Sequence, residues 1–416
     1  MSDSAAPTTG SAPVPLRPLT QVQMYVIAFA LISMGVGMTV SFVVASPLAR
    51  EAGLSELQVA GILTLSAFFY AALTPLWGRI ANRVGRKRVM VFSLAAMGAT
   101  NALFILGLSA AMQGAVTGLS AFLLLAVIRL SFGILAPGLQ PASFSAITDA
   151  TTPINRAAGM GLLGAAMSIG SILGPAGAAA LASVGPLAPL WGSVLFSWFA
   201  ALVIAFALPP TRKTSATSAP PPLLRIRDAR VLPHLTFLFV YFVAVGSIQQ
   251  TLAWLVQDRF ALGQAEAVQA AGITFAAMAV TLVAVQFGYV NRRKPDPQMM
   301  LTAGLAFVAV GYALSVLHLP FWGLCTTFSI VGIGAALVVP AANALATLAV
   351  TPAEQGAAAS LVAAAPPAGF IIGPLLGAVL YAVHADLPLI VSAAVMAGLW
   401  VYALTALRQS RVTPAA

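Results

Sequence analysis

The chain has 416 residues, of which 60% are hydrophobic and 7% charged. A water-soluble domain carries about 25% charged residues, so this composition excludes a soluble globular protein. The net charge of +10 does not point to nucleic acid, because the basic residues sit between hydrophobic runs rather than on one soluble face.

In chain order, residues 1–20 come first. They lack the basic start, short apolar core and cleavage site of a signal peptide, and they read as a disordered tail. Twelve apolar runs follow, near 22–47, 56–77, 88–109, 119–145, 157–182, 187–208, 233–256, 267–290, 299–319, 322–350, 355–383 and 386–407. Each is long enough for a bilayer core, which takes about 20 residues of helix. The expected fold is an all-α membrane protein of twelve transmembrane helices. Six lie in 21–208 and six in 233–408, with a Pro/Ser/Thr/Arg-rich linker at 209–232 and a tail at 409–416.

Alternate loops then share a side. Seventeen of the 20 Lys and Arg fall on the side of the termini; Arg50 and Arg259 fall on the other, and Arg129 lies inside span 4. This bias predicts cytoplasmic termini in a bacterial-type inner membrane.

The halves repeat. Gly170, Gly174 and Pro175 in span 5 stand 199 positions before Gly369, Gly373 and Pro374 in span 11. The same offset joins Gly133 to Gly332, Pro141 to Pro340 and Thr152 to Thr351. Small residues let helix backbones approach closely in lipid, and Gly177 and Gly377 extend the two glycine faces. Proline can bend a helix whose freed carbonyls find other partners. Paired, tightly packed helices at equivalent points suit two halves that rock, a known transporter plan; ordinary small-residue packing is the plainer alternative.

"GRIANRVGRKRV" (78–89) resembles the cytoplasmic signature of the major facilitator superfamily through Gly78, Ala81, Arg83, Gly85, Arg86 and Lys87. "GYVNRRKPD" (288–296) is its degraded counterpart after span 8. "RLSFG", with Arg129 and Gly133, is similar to the family's intramembrane Arg motif, and "GSILGPAGAA" to the span-5 motif of its drug and metabolite antiporters. The chain departs from these patterns in three places. Asn82 replaces an acidic residue, which weakens a charge-based latch. Ala178 and Ala179 replace a glycine pair. Span 1 has no carboxylate, where many relatives carry the one that takes up a proton.

Arg129 is the one charge embedded in a span, and such a charge marks a functional site. It would meet an anionic group of the substrate, or amides and carbonyls facing a wet cavity; tying span 4 to a neighbour is the structural alternative. Gln140, Gln249, Gln250 and Asn343 are candidate cavity contacts, since side-chain amides offer donors and acceptors. Interhelical hydrogen bonding is the alternative for each. Asp149 and Arg156 are expected to pair across their loop.

The three histidines match no metal-ligand spacing, and no phosphate loop, nucleophile elbow or carboxylate pair appears. No cofactor, metal or enzymatic activity is expected. The resemblance implies a monomeric secondary transporter that exports a small amphipathic compound, a drug or a metabolite such as a siderophore, in exchange for protons. Uptake of a small organic anion with Arg129 as its contact is one alternative. A non-transporting sensor or assembly partner of the same fold is another.

Overall fold

The computed structural model describes residues 19–151, 153–209, 227–293, 295–351 and 354–410. The terminal tails and most of the linker lie outside them. Among the described residues, twelve helical segments are long and apolar enough to cross a membrane. The side of the bundle that carries both termini is called here the near end, and the opposite side the far end.

The first half holds α1 (Gln21–Glu51), α2 (Glu56–Val84), α3 (Arg86–Met112), α4 (Gly118–Leu135), α5 (Leu139–Ala150), α6 (Pro153–Ala182) and α7 (Ala188–Ala207). The second holds α8 (Leu232–Phe260), α9 (Gln264–Val285), a π turn Gln286–Val290, the short α10 (Asn291–Arg293), α11 (Pro297–Val316), α12 (Phe321–Leu348), α13 (Gln355–Val383) and α14 (Leu387–Ser410).

Local chemistry sets the ends. Thr20 caps α1 and Ser55 caps α2, each in a reciprocal pair with the Gln three residues on. One residue, Gly85, separates α2 from α3. Its φ of 107° is open to glycine and strained for any other residue, which is why the basic signature carries a glycine there.

Span 4 departs from its expected single helix. It breaks between α4 and α5 at Ala136–Gly138, where Pro137 has no N–H to donate. The indole Nε1 of Trp77 donates to the carbonyl of Ile134 at 2.8 Å and so occupies an acceptor freed by the break. Span 10, its partner in the repeat, runs through Pro340 unbroken as α12.

The two glycine faces work inside each half. A Cβ on Gly35 of α1 would lie 3.0 Å from Gly170 Cα of α6, and one on Gly246 of α8 would lie 3.4 Å from Gly373 Cα of α13. The crossings are therefore equivalent but shifted by one turn. Gly377 closes on Ser247, whereas Gly177 has open space where its Cβ would be. α6 and α13 stay helical through Pro175 and Pro374.

Candidate functional site

Polar contacts between the halves gather at the far end. Arg50, in the last turn of α1, donates to Asp258 of α8 at 2.6 and 3.3 Å and to Gln257 at 3.4 Å. It also donates to Glu56 of its own half at 2.8 Å. Tyr381 of α13 donates its hydroxyl to Asp258 at 2.5 Å, and the guanidinium stands 5.8 Å from the Trp254 ring centre and 5.9 Å from that of Tyr381. Gln264 donates to the Pro47 carbonyl at 3.4 Å. The backbone carbonyl of Pro175 in α6 faces Gly272 of α9, where an added Cβ would lie 2.7 Å away.

One turn inward, Gln250 of α8 is wholly buried and donates to Ser46 of α1 at 3.1 Å. Its Oε1 has no partner among the described residues, and neither has Ser247 Oγ or Trp254 Nε1. Positions 247, 250 and 254 share one face of a helix. The carbonyl end of Gln250 thus lies in a short polar stripe along the seam between the halves. Leaving such buried groups unpaired costs about 1–3 kcal/mol each, so the stripe is expensive unless another state of the protein, or a ligand, satisfies it. Phe42 of α1 and Phe370 of α13 stack across the same seam at 6.1 Å.

α5, at the near end, contacts α1, α2, α3 and α6 of its own half, and the bundle-long α12 contacts α8, α9, α11 and α13 of its own; the halves meet through α6 with α9, α2 with α13, and α1 with α8 and α9.

Arg129 is 7% exposed. Its Nη1 donates to Asn101 Oδ1 of α3 at 2.8 Å, and its guanidinium lies 4.6 Å from the Phe132 ring centre and 5.4 Å from that of Phe104. Ser66 of α2 donates to the Arg129 carbonyl at 2.9 Å. The Arg129 Nε has no partner. Arg129 therefore ties α4 to α3 through an amide and two rings, within one half. Phe104 and Leu125, one turn away on α3 and α4, also line a small apolar cavity reaching to Leu54 and Val59.

The other expected contacts separate. Gln140 is half-buried on α5 and approaches Met167 Sδ at 3.8 Å. Gln249 is half-buried and points about 100° around α8 from Gln250. Asn343 is exposed, five residues from the near end of α12 rather than mid-span. Of the four amides, Gln250 alone is seen to bond across the seam between the halves.

In the basic signature, Gly78 sits near Pro141, 3.6 Å from where its Cβ would be. Asn82 and Arg83 are exposed. Arg86 is buried; it donates to the Ser145 carbonyl at 2.9 Å and forms an ion pair with Asp149. Asp149 thus holds the first turn of α3, whereas sequence spacing joined it to Arg156, whose side chain lies outside the described residues. Lys87 donates to the Leu208 carbonyl at 2.5 Å, closing the end of α7. Gly133 brings α4 onto α2, with Ser66 O 2.5 Å from a Cβ placed there.

Sequence reasoning missed the far-end cluster and one near-end clamp. In the clamp, Arg230 at the end of the linker donates to both Glu354 oxygens at 3.0 and 3.1 Å and to Asp228 at 2.8 Å. These contacts hold both carboxyls down to about 2. The one available signal for the far-end cluster was charge scarcity, since Arg50 was one of two basic residues assigned to that side.

A bundle of two six-helix halves that meet around a polar seam defines a membrane transporter fold. The model of the Major Facilitator Superfamily matches residues 25–317 and 287–416, and the chain belongs to that family. It is 24% identical over 370 residues to the multidrug resistance protein MdtG of Proteus mirabilis, covering 85% of this chain and 88% of that one. It is 27% identical over 376 residues to the class G tetracycline resistance protein of Vibrio anguillarum, again covering 85% and 88%. Among solved structures, a bacterial homologue of the human lysosomal transporter Spinster superposes with a TM-score of 0.72 at 15% identity, over 92% of this chain and 96% of that one.

Proposed function

We propose that this protein exports a small amphipathic compound, a drug or a secondary metabolite such as a siderophore, by proton-coupled alternating access, as a monomer in a bacterial inner membrane with cytoplasmic termini. The observation that carries this reading is the one-sided closure of the seam. Arg50, Gln257, Asp258, Gln250 and Ser46 join the halves toward the far end, while α5, at the near end, packs within its own half. With the termini cytoplasmic, the joined far end is the outer one, which supports reading this state as inward-facing. The resemblance to multidrug and tetracycline resistance proteins supports the export direction.

Transport in inverted membrane vesicles under an imposed pH gradient, against a panel of dyes, drugs and siderophores, tests this reading. Gradient-driven accumulation is the expected result. Accumulation that ignores the gradient overturns proton coupling, and accumulation confined to right-side-out vesicles overturns export.

One observation favours a second reading, transport of a small organic anion. Arg129 is a buried cation whose side-chain partner is the neutral Asn101 and whose Nε is unbonded. A substrate anion would neutralise it. Under this reading Arg129→Gln abolishes transport of anionic members of the panel and spares neutral and cationic ones.

A further inference from the structure

We infer that Glu56 and Tyr381 are positioning residues that make the far-end gate reversible, each holding in reserve one charge of the Arg50–Asp258 pair. The inference rests on the alternating-access reading and says how one end of the seam parts.

Arg50 bridges two carboxylates from opposite halves. Asp258 comes from α8 and takes both terminal nitrogens; Glu56 opens α2, on the same half as Arg50. Asp258 in turn accepts from Tyr381, which belongs to its own half. When the halves separate at this end, Arg50 loses Asp258 and keeps Glu56, while Asp258 loses Arg50 and keeps Tyr381. Neither charge is left alone beside the apolar residues of the gate. A lone Arg–Asp pair would have no such reserve. Breaking it would strand both charges, and removing one partner of a partly buried pair is far more damaging than the pair is stabilising.

The neighbouring charges do not compete for this cluster. Arg259, next to Asp258, turns to Asp386 at 2.6 Å and to the Ser315 carbonyl at 2.8 Å. Glu51, beside Arg50, is exposed.

The two carboxylates therefore have opposite effects on the gate. Asp258 favours the closed form, because it meets Arg50 only there. Glu56 meets Arg50 in the closed form too, but in the open form it is the partner Arg50 keeps, so it favours the open form. Tyr381 likewise meets Asp258 in the closed form, is the partner Asp258 keeps in the open form, and acts in the same direction as Glu56.

Spin labels at Leu57→Cys and Gln269→Cys, both exposed at the far end of α2 and α9, report the gate by pulsed distance measurement. The protein is full length, with Cys325→Ser, in lipid nanodiscs. Asp258→Asn should raise the long-distance population about threefold, and Glu56→Gln and Tyr381→Phe should each lower it by a similar factor. In the Asp258→Asn background Glu56→Gln should have no further effect, because Arg50 then has Glu56 as its carboxylate partner in both forms alike. Glu56→Asp should behave as the parent.

Additive effects of Glu56→Gln and Asp258→Asn, or opening by Glu56→Gln, would overturn the inference while leaving alternating access intact. A distance that stays single and fixed in every variant would overturn both.

Discussion

Gly35 of α1 and Gly170 of α6 meet backbone to backbone. A Cβ on Gly35 would lie 2.7 Å from the Met167 carbonyl oxygen, and one on Gly170 would run into the Ile32 carbonyl. The obstacle is main chain in both directions, so no rotamer change relieves it. Gly170→Ala should therefore push the helices apart and cost about 1–3 kcal/mol, read as a lower midpoint of thermal unfolding in detergent. Gly177→Ala, seven residues along the same helix but with open space at its Cβ, should be neutral or slightly stabilising, since alanine favours helix over glycine by about 1 kcal/mol.

The same obstacle holds in the second half, where a Cβ on Gly373 would lie 2.5 Å from the Val243 carbonyl oxygen and 3.0 Å from Gly246 Cα. Gly373→Ala should match Gly170→Ala in sign and size. A loss in one half without the other would show that the repeat is preserved in sequence but not in energetics.

Arg129 is predicted to depend on Asn101. Asn101→Leu removes the side chain seen to accept from the buried guanidinium, and it should lower thermal stability by about 2 kcal/mol. Arg129→Lys should not rescue function, because an ammonium cannot reproduce the planar contact with Phe104 and Phe132 while reaching Asn101. Combining Asn101→Leu with Arg129→Leu should cost less than the sum of the single changes, because the stranded charge is then gone.

Asp149 and Arg86 should also be coupled. Asp149→Asn and Arg86→Gln each break the ion pair between the end of α5 and the start of α3, and a thermal double-mutant cycle should return about 1 kcal/mol of coupling. If Asp149 were instead paired with Arg156, the coupling would appear with Arg156→Gln and vanish with Arg86→Gln.

The near-end clamp carries a pH dependence. Arg230 holds the carboxyls of Asp228 and Glu354 down to about 2, below the ordinary carboxylate value of about 4. For a lowered pKa, the stabilisation is fully present above the unfolded value and is lost as pH falls through the folded one. The clamp should therefore be unchanged from pH 7 to 5, weaken below about pH 4, and release near pH 2. Hydrogen exchange across residues 228–232, corrected for the intrinsic rate, should accelerate in that window. Glu354→Gln should produce the faster exchange already at pH 7.

The architecture was legible because its signals are long. Twelve apolar runs, the charge asymmetry of their loops and a single 199-residue offset are each spread over many residues, and the bilayer permits few backbones that could satisfy them. The sequence-based ends of span 11 coincide with α13 at Gln355–Val383. The pairings were less legible, because they join residues far apart in the chain. Arg50 and Asp258 are separated by 208 positions and Gln250 and Ser46 by 204, and no local pattern links them. Asp149 meets Arg86, a contact that spacing could not indicate because it depends on the turn at Gly85; the expected pairing with Arg156 lies outside the described side chains. The same limit applied to Asn343. A polar residue inside an apolar run looks central until helix ends are known, and α12 ends only five residues beyond it.

The break in span 4 divides what duplication made alike. Both halves cross α1 on α6 and α8 on α13 by glycine, yet the first half has a joint at Ala136–Gly138 where the second has the unbroken rod of α12. That joint is fastened from outside its own helix by the indole of Trp77, the residue immediately before the basic signature. Beyond the joint, α5 is held to the α2–α3 turn by Arg86 with Ser145 and Asp149, while Trp77 holds the end of α4 just before it. The two halves are thus a jointed limb and a stiff one, so a duplicated plan carries unequal flexibility at equivalent places.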